Sequence, residues 1–244
     1  MTGTAQYVAT KIPEAIKYPR GLSLYGPWSI AYGSHLTFVA SEDFRQTAMV
    51  VPSHPPLAAD KVTLRREARE RRRLFIESLS RDQREALEHS LAKVLAPLIA
   101  QSRVMGGYCP LPSEISPLPA MDAAARSGTI VAYPAFNDHQ SNFRFLAGDP
   151  TESGPWACFQ PPLDSPEVFP DLVLVPLVAI DGHGTRLGQG KGHYDRVLGK
   201  LREHGALLVG VGWPVQKVDD QIPRDIWDVQ LDGFASPDGL EMFR

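Results

Sequence analysis

Between Asp171 and Leu198 an apolar run gives way to Arg186-Leu-Gly188-Gln-Gly190-Lys191-Gly192-His-Tyr194-Asp195. Gly188, Gly190 and Gly192 remove side chains, so consecutive main-chain N–H groups can approach an anion, and Arg186 and Lys191 add positive charge beside them. A nucleotide triphosphate needs that combination. Asp195 falls in the first turn of the helix expected next, where a carboxylate either caps the helix or holds Mg²⁺ against phosphate oxygens. The string is not a Walker loop, which requires four residues between its first Gly and the Gly-Lys pair and a Ser or Thr after the Lys. Taken alone, Gly-Gln-Gly-Lys-Gly is equally a flexible turn.

The elements around this loop must position it. From Lys61, Leu64, Ala68 and Leu74-Phe75 recur at helical spacing, and a second helix is expected from Ser80, whose spacing to Gln83 is that of a capping box. Its stripe is Leu87, Leu91, Val94, Leu95 and Leu98. Val104–Tyr108 reads as the first core strand, and Pro117–Arg126 as a helix with Ser116 as N-cap and Gly128 past its end. Further strands are expected at Thr129–Tyr133, Phe143–Leu146, Asp171–Val175 and Leu207–Val211, several of them continuously apolar. After the glycine loop, Tyr194, Val197, Leu198 and Leu201 share one helical face and Gly205 follows the end. The alternation predicts an α/β fold: three layers around a mostly parallel, doubly wound, Rossmann-like sheet. Such sheets collect ligands at the carboxyl ends of their strands.

Composition narrows the class. The 244 residues are 43% hydrophobic and 22% charged, with formal net charge -3, which suits a globular protein without an overall basic field for nucleic acid or anionic membranes. Two cysteines, Cys109 and Cys158, are too few for a disulfide framework and lack the spacing of a zinc site. No apolar run reaches 18 residues, and Lys11, Glu14, Lys17 and Arg20 interrupt any secretory signal. The expectation is a cytoplasmic protein. Residues 1–60 are rich in Pro, Ser, Gly and Thr and read as an N-terminal extension, with a short strand or hairpin in Trp28–Ala40; residues 61–244 form the main domain. Oligomeric state is not set by any of this.

The motifs, in their order, resemble those of the 5-formyltetrahydrofolate cyclo-ligase family: Lys61-x-x-Leu64-Arg65, Tyr108-x-Pro110-x-x-x-Glu114, Arg186-Leu-Gly-x-Gly-Lys-Gly-x-Tyr-Asp195, and Ile222-Pro223 with Asp228 and Asp232. The resemblance covers residues 61 to about 235 and implies a NagB/RpiA-like α/β domain using ATP, Mg²⁺ and a reduced folate. It implies that Lys61 and Arg65 reach ATP phosphates and that Arg186, Leu187, Gly188, Gln189, Gly190, Lys191, Gly192, His193 and Tyr194 hold the nucleotide, with Lys191 and Arg186 catalytic. Tyr108, Glu114, Gln189 and His193 would contact the folate, the carboxylate of Glu114 suiting the row of donors on a pterin. Asp195 and Asp228 would be Mg²⁺ ligands.

The chain departs from the family pattern in places. His193 stands where many members have Tyr, Asp225 and Trp227 where bacterial members often carry Glu and His, and Gly212-Trp213-Pro214 replaces a plainer apolar stretch. These changes are expected near the substrate end. The implied reaction is phosphorylation of the formyl oxygen followed by ring closure, which requires positioning and charge neutralisation rather than a protein nucleophile. Rival readings keep the fold with another formamide or carboxyl substrate, make the chain a non-catalytic nucleotide binder, or treat Arg65 to Arg73 as a solvated or nucleic-acid-binding basic helix.

Overall fold

The structure, a computed structural model, describes residues 60–243. The extension of residues 1–60, with its Trp28–Ala40 strand or hairpin, lies outside the described residues apart from Asp60. Helix α1 (Lys61–Glu77) starts where Asp60, in extended conformation, accepts a hydrogen bond from the Thr63 N–H at 2.7 Å. Helix α2 (Arg81–Ile99) opens with both halves of the capping box: Gln83 N–H donates to Ser80 Oγ at 3.2 Å, and Ser80 N–H to Gln83 Oε1 at 2.8 Å. Two donors that the helix cannot satisfy itself are thereby paired.

The remaining elements are β1 (Val104–Gly106), α3 (Leu118–Arg126), β2 (Ile130–Ala135), β3 (Arg144–Ala147), a ribbon of β4 (Glu152–Ser153) and β5 (Phe159–Gln160), β6 (Leu172–Pro176), a second ribbon of β7 (Ala179–Ile180) and β8 (Arg186–Leu187), α4 (His193–Glu203), β9 (Leu207–Val211), β10 (Gly233–Ser236) and β11 (Gly239–Met242). The main sheet runs β11-β10-β9-β6-β1-β2-β3. Its five inner strands are parallel, and β11 and β3 are antiparallel edges.

Strand residues alternate between two cores, as a period of two requires. Leu172 and Leu174 of β6 join Val209 and Val211 of β9 under Leu91, Leu95 and Ile99 of α2 and Ala120, Met121 and Ala124 of α3. Val173 and Val175 turn the other way, with Leu208, onto Leu198 and Leu201 of α4. The result is the expected three-layer, doubly wound α/β arrangement. Strand order reverses between β1 and β6, so a crevice opens beyond the carboxyl ends of those two strands. Helix α1 lies at this end, with Leu64 and Ala68 seated on Val178, Ala179, Leu187 and Ile222.

Several details differ from the sequence reading. Strand β1 stops two residues early, at Gly106. Helix α3 begins at Leu118, although Ser116 Oγ still accepts from the Leu118 N–H at 3.3 Å. The stretch read as Phe143–Leu146 is a reversed edge strand, and β6 meets the glycine loop only after the inserted ribbon β7–β8. Strands β10 and β11, with glycines at both starts and exposed residues in the second, offered no clean period.

Leu95 is fully buried between α2 and the sheet. Leu95→Ala is expected to lower stability by about 3 kcal/mol, from lost burial plus an unfilled cavity. Urea unfolding should show a lower midpoint at an unchanged slope.

Candidate active site

A cavity of about 590 Å³ occupies the crevice at the strand-order reversal. Its wall takes residues from α1, the loop after β1, the ends of β2 and β6, the β4–β5 turn, the loop between β8 and α4, and the segment Asp225–Asp228. All the residues singled out from sequence line this one space: Lys61, Arg65, Tyr108, Glu114, the run Arg186–Asp195, and Asp228.

The ribbon β7–β8 sets the glycine loop in place. Asp181, buried at the ribbon's turn, accepts from the His183 and Thr185 N–H groups through Oδ1 and from the Ile222 N–H through Oδ2, each near 2.9–3.0 Å. Gly190 (φ 94°) and Gly192 (φ 68°) take left-handed conformations that disfavour a β-carbon. Gly192 is also the N-cap of α4, and no side chain caps that helix. Among the described residues, the main-chain N–H groups from Gln189 to Tyr194 donate to no protein acceptor. Unpaired N–H groups at an uncapped helix N-terminus form an anion site.

One face of α1 fastens this loop. Lys61 Nζ donates to Asp225 Oδ2 at 2.6 Å and Asp228 Oδ2 at 2.5 Å. Arg65 Nε donates to the Gly188 carbonyl at 3.0 Å, and Arg69 Nη2 to the carbonyl and Oε1 of Gln189, both at 3.0 Å. Arg72 reaches Leu177 O at 3.4 Å and lies 3.8 Å from Glu114 Oε1. Burial tends to lower the Lys61 pKa, but its hydrogen bonds to Asp225 and Asp228 outweigh that and raise it. The solvated-helix reading therefore fits only the other face, where Arg66 and Arg73 meet glutamates of their own helix in exposed pairs.

In the same cavity Glu114 is 6% exposed. Its Oε2 accepts from the Leu111 N–H at 3.1 Å and its Oε1 from Gln189 Nε2 at 3.4 Å. Arg69 only donates, so its bond to Gln189 Oε1 turns the amide NH₂ of Gln189 toward Glu114. Tyr108 contributes its ring to the cavity while its hydroxyl donates to Ile115 O at 3.0 Å; burial raises its pKa.

An aromatic wall completes the cavity. His193 packs against Phe136 at 5.2 Å and Trp156 at 4.6 Å between ring centroids. Burial, then Arg196 and Lys191, lowers the His193 pKa, which favours the neutral ring. Tyr194 lies under the Arg186 guanidinium at 5.7 Å, and burial first among its neighbours' effects raises its pKa. Trp156 holds φ 58°, a left-handed conformation costly for a bulky side chain. Sequence reading misses Phe136, Trp156 and Phe159, which come from segments too short to show a period, and leaves Arg69 among the solvated arginines. The step of four residues from Lys61 to Arg65 to Arg69 was the available signal. Of the departures from the family pattern, His193, Asp225 and Trp227 line the cavity, with Trp227 66% exposed. Trp213 does not: it is wholly buried beside Phe75 and donates through Nε1 to Ser113 O at 3.2 Å.

The two carboxylates expected to hold Mg²⁺ both face cations, Asp195 pairing with Arg186 and Asp228 with Lys61. Among the described residues no group of three or more His, Cys, Asp or Glu side chains gathers to enclose a metal ion. An oxygen donor set of one or two carboxylates still fits Mg²⁺ where phosphate oxygens and water supply the remaining positions. No helix among the described residues is long and apolar enough to cross a membrane.

Known proteins resemble this chain in sequence and fold. The model of the 5-formyltetrahydrofolate cyclo-ligase family matches residues 57–237. A 5-formyltetrahydrofolate cyclo-ligase of Haemophilus influenzae is 32% identical over 41% of this chain and 56% of its own length. The chain thus spans little more than half of that relative, whereas the Escherichia coli cyclo-ligase is matched over 81% of its length, at 28% identity across 58% of this chain. The solution structure of an Aquifex aeolicus 5,10-methenyltetrahydrofolate synthetase superposes with a TM-score of 0.63 at 26% identity, covering 75% of this chain and 93% of that one. Because the family match runs from just ahead of α1 through β10, and so takes in every element lining the cavity, the chain belongs to the 5-formyltetrahydrofolate cyclo-ligase family.

Proposed function

We propose that this protein uses ATP and Mg²⁺ to convert 5-formyltetrahydrofolate into 5,10-methenyltetrahydrofolate, releasing ADP and phosphate. One observation carries the reading: the N–H run from Gln189 to Tyr194, unpaired among the described residues and at the uncapped start of α4, shares a cavity with the buried carboxylate of Glu114. Lys191 adds an ammonium with no carboxylate partner among the described residues, and Arg65 and Arg69 bind loop oxygens rather than acids. That end of the cavity favours polyphosphate. Glu114 favours a ligand with N–H donors, and the aromatic rings of the same cavity offer a stacking surface.

In the proposed reaction the N5-formyl oxygen attacks the γ-phosphorus, the new O–P bond forms, and ADP leaves with the electrons of the broken bond. N10 then attacks the activated carbon and loses its proton, and phosphate departs with the former formyl oxygen. Gly188, Gly190 and Gly192 let the main chain approach the phosphates, Leu187, Gln189, His193 and Tyr194 frame the nucleotide and its junction with the folate, and Lys191 faces the transferred group. Lys61 shares the phosphate end, Tyr108 offers its ring to the folate, and Arg186 orients Asp195. Asp195 and Asp228 would hold Mg²⁺, which when bound neutralises phosphate charge as the γ-group transfers.

The direct test is absorbance of methenyltetrahydrofolate formed from purified protein, ATP, Mg²⁺ and 5-formyltetrahydrofolate. Product is expected; ATP-dependent turnover of other formamides without it would redirect the assignment to a related substrate. Lys191→Ala should lower kcat by roughly 10²–10³-fold with an unchanged thermal midpoint. Glu114→Ala should raise the folate KM about tenfold or more while calorimetric affinity for an ATP analogue holds, since it removes an acceptor from one wall alone. Chelation with EDTA should abolish turnover, and added Mg²⁺ should restore it.

A further inference from the structure

Arg72 is a poor choice for stability alone. It is 4% exposed, and among the described residues its Nε has no hydrogen-bond partner and its one bond, from Nη1 to Leu177 O, is 3.4 Å long. A buried guanidinium so incompletely satisfied is costly, and an apolar side chain of similar volume often serves a core better. Arg72 is not among the residues that line the cavity. Its neighbour Glu114 does line the wall and is nearly as buried.

The separation between them is informative. Arg72 Nη1 stands 3.8 Å from Glu114 Oε1, close enough to offset the carboxylate's charge in a poorly solvated place, yet beyond hydrogen-bond reach. Among the described residues, Glu114 Oε1 otherwise receives only the long 3.4 Å contact from Gln189 Nε2, while Oε2 is held by the Leu111 N–H at 3.1 Å. Arg186 and Asp195 behave differently, since there the guanidinium bonds the carboxylate directly. Glu114 is thus oriented, with a cation nearby and acceptor capacity unspent.

We infer that Arg72 is a positioning residue for substrate recognition, which holds the Glu114 side chain in place without occupying the lone pairs that a pterin's amide and amino donors require. The inference rests on the folate reading above and assigns to a buried residue of α1 a share in folate specificity. Among the described residues, neither Arg72 nor Glu114 bonds the main-chain N–H run proposed for the nucleotide.

The experiment is steady-state kinetics on full-length enzyme, with folate and ATP varied separately, after wild-type turnover of 5-formyltetrahydrofolate has been measured. Loss of that wild-type turnover would remove the folate reading itself. With it present, Arg72→Met should raise the folate KM about tenfold, with kcat and the ATP KM within about twofold, and Arg72→Lys should fall between. In a Glu114→Gln background Arg72→Met should add no further rise, because the group it serves is gone. An unchanged folate KM, a parallel rise in both KM values, or additive effects of the two substitutions would overturn the inference. If Arg72→Met alone does not fold, the double variant, which leaves no unpaired buried charge, is compared with Glu114→Gln: equal folate KM supports the role, and a higher one contradicts it.

Discussion

A single face of α1 holds the working end of this molecule together. Lys61, Arg65, Arg69 and Arg72, spaced four, four and three residues apart, lie along one side of the helix and bind, in turn, the Asp225–Asp228 segment, the Gly188 carbonyl, Gln189, and the Leu177 carbonyl beside Glu114. Exposed ion pairs contribute little one at a time. Here the cations converge on segments without regular hydrogen bonding of their own, and each such segment supplies part of the cavity wall. The apolar seat of Leu64 and Ala68 keeps the helix in register for all of them.

Consequences for the site follow from what those bonds consume. Arg65 and Arg69 take up carbonyl oxygens of the glycine loop, so the loop's N–H groups are left to face an anion. The left-handed turns at Gly190 and Gly192 then deliver the chain into α4, whose N-terminus no side chain caps. Arg65, Arg69 and Lys191 stand along this loop, and the buried carboxylate of Glu114 lies across the Gln189 side chain from Arg69. A cavity polarised in this way suits a polyphosphate at one end and a donor-rich heterocycle at the other, with the two held close enough to react.

The layers of the fold were legible because they obey simple periods. The capping box at Ser80, the buried runs of β6 and β9, and the amphipathic face of α4 each follow from residue spacing alone. The glycine loop stood out for its composition, and the cavity also collects the residues named at its two walls. Less was visible where structure depends on distant partners. The ribbon β7–β8 is too short to leave a period and is fixed by the Asp181 carboxylate reaching as far as Ile222. Arg72 is indistinguishable in sequence from its solvated neighbours, since only the packing of α1 against Leu177 and Glu114 separates them. Trp213, a departure from the family pattern, proves to be core, with its indole N–H supporting the loop that carries Glu114.

The central claim is that the loop at the start of α4 brings a nucleotide's terminal phosphate to the formyl oxygen of a bound folate. The most direct measurement is turnover of 5-formyltetrahydrofolate carrying ¹⁸O in its formyl group, with the released phosphate read by ³¹P NMR. Transfer of the label into phosphate, one oxygen for each methenyl product, is the predicted result. Unlabelled phosphate alongside methenyl product would contradict it.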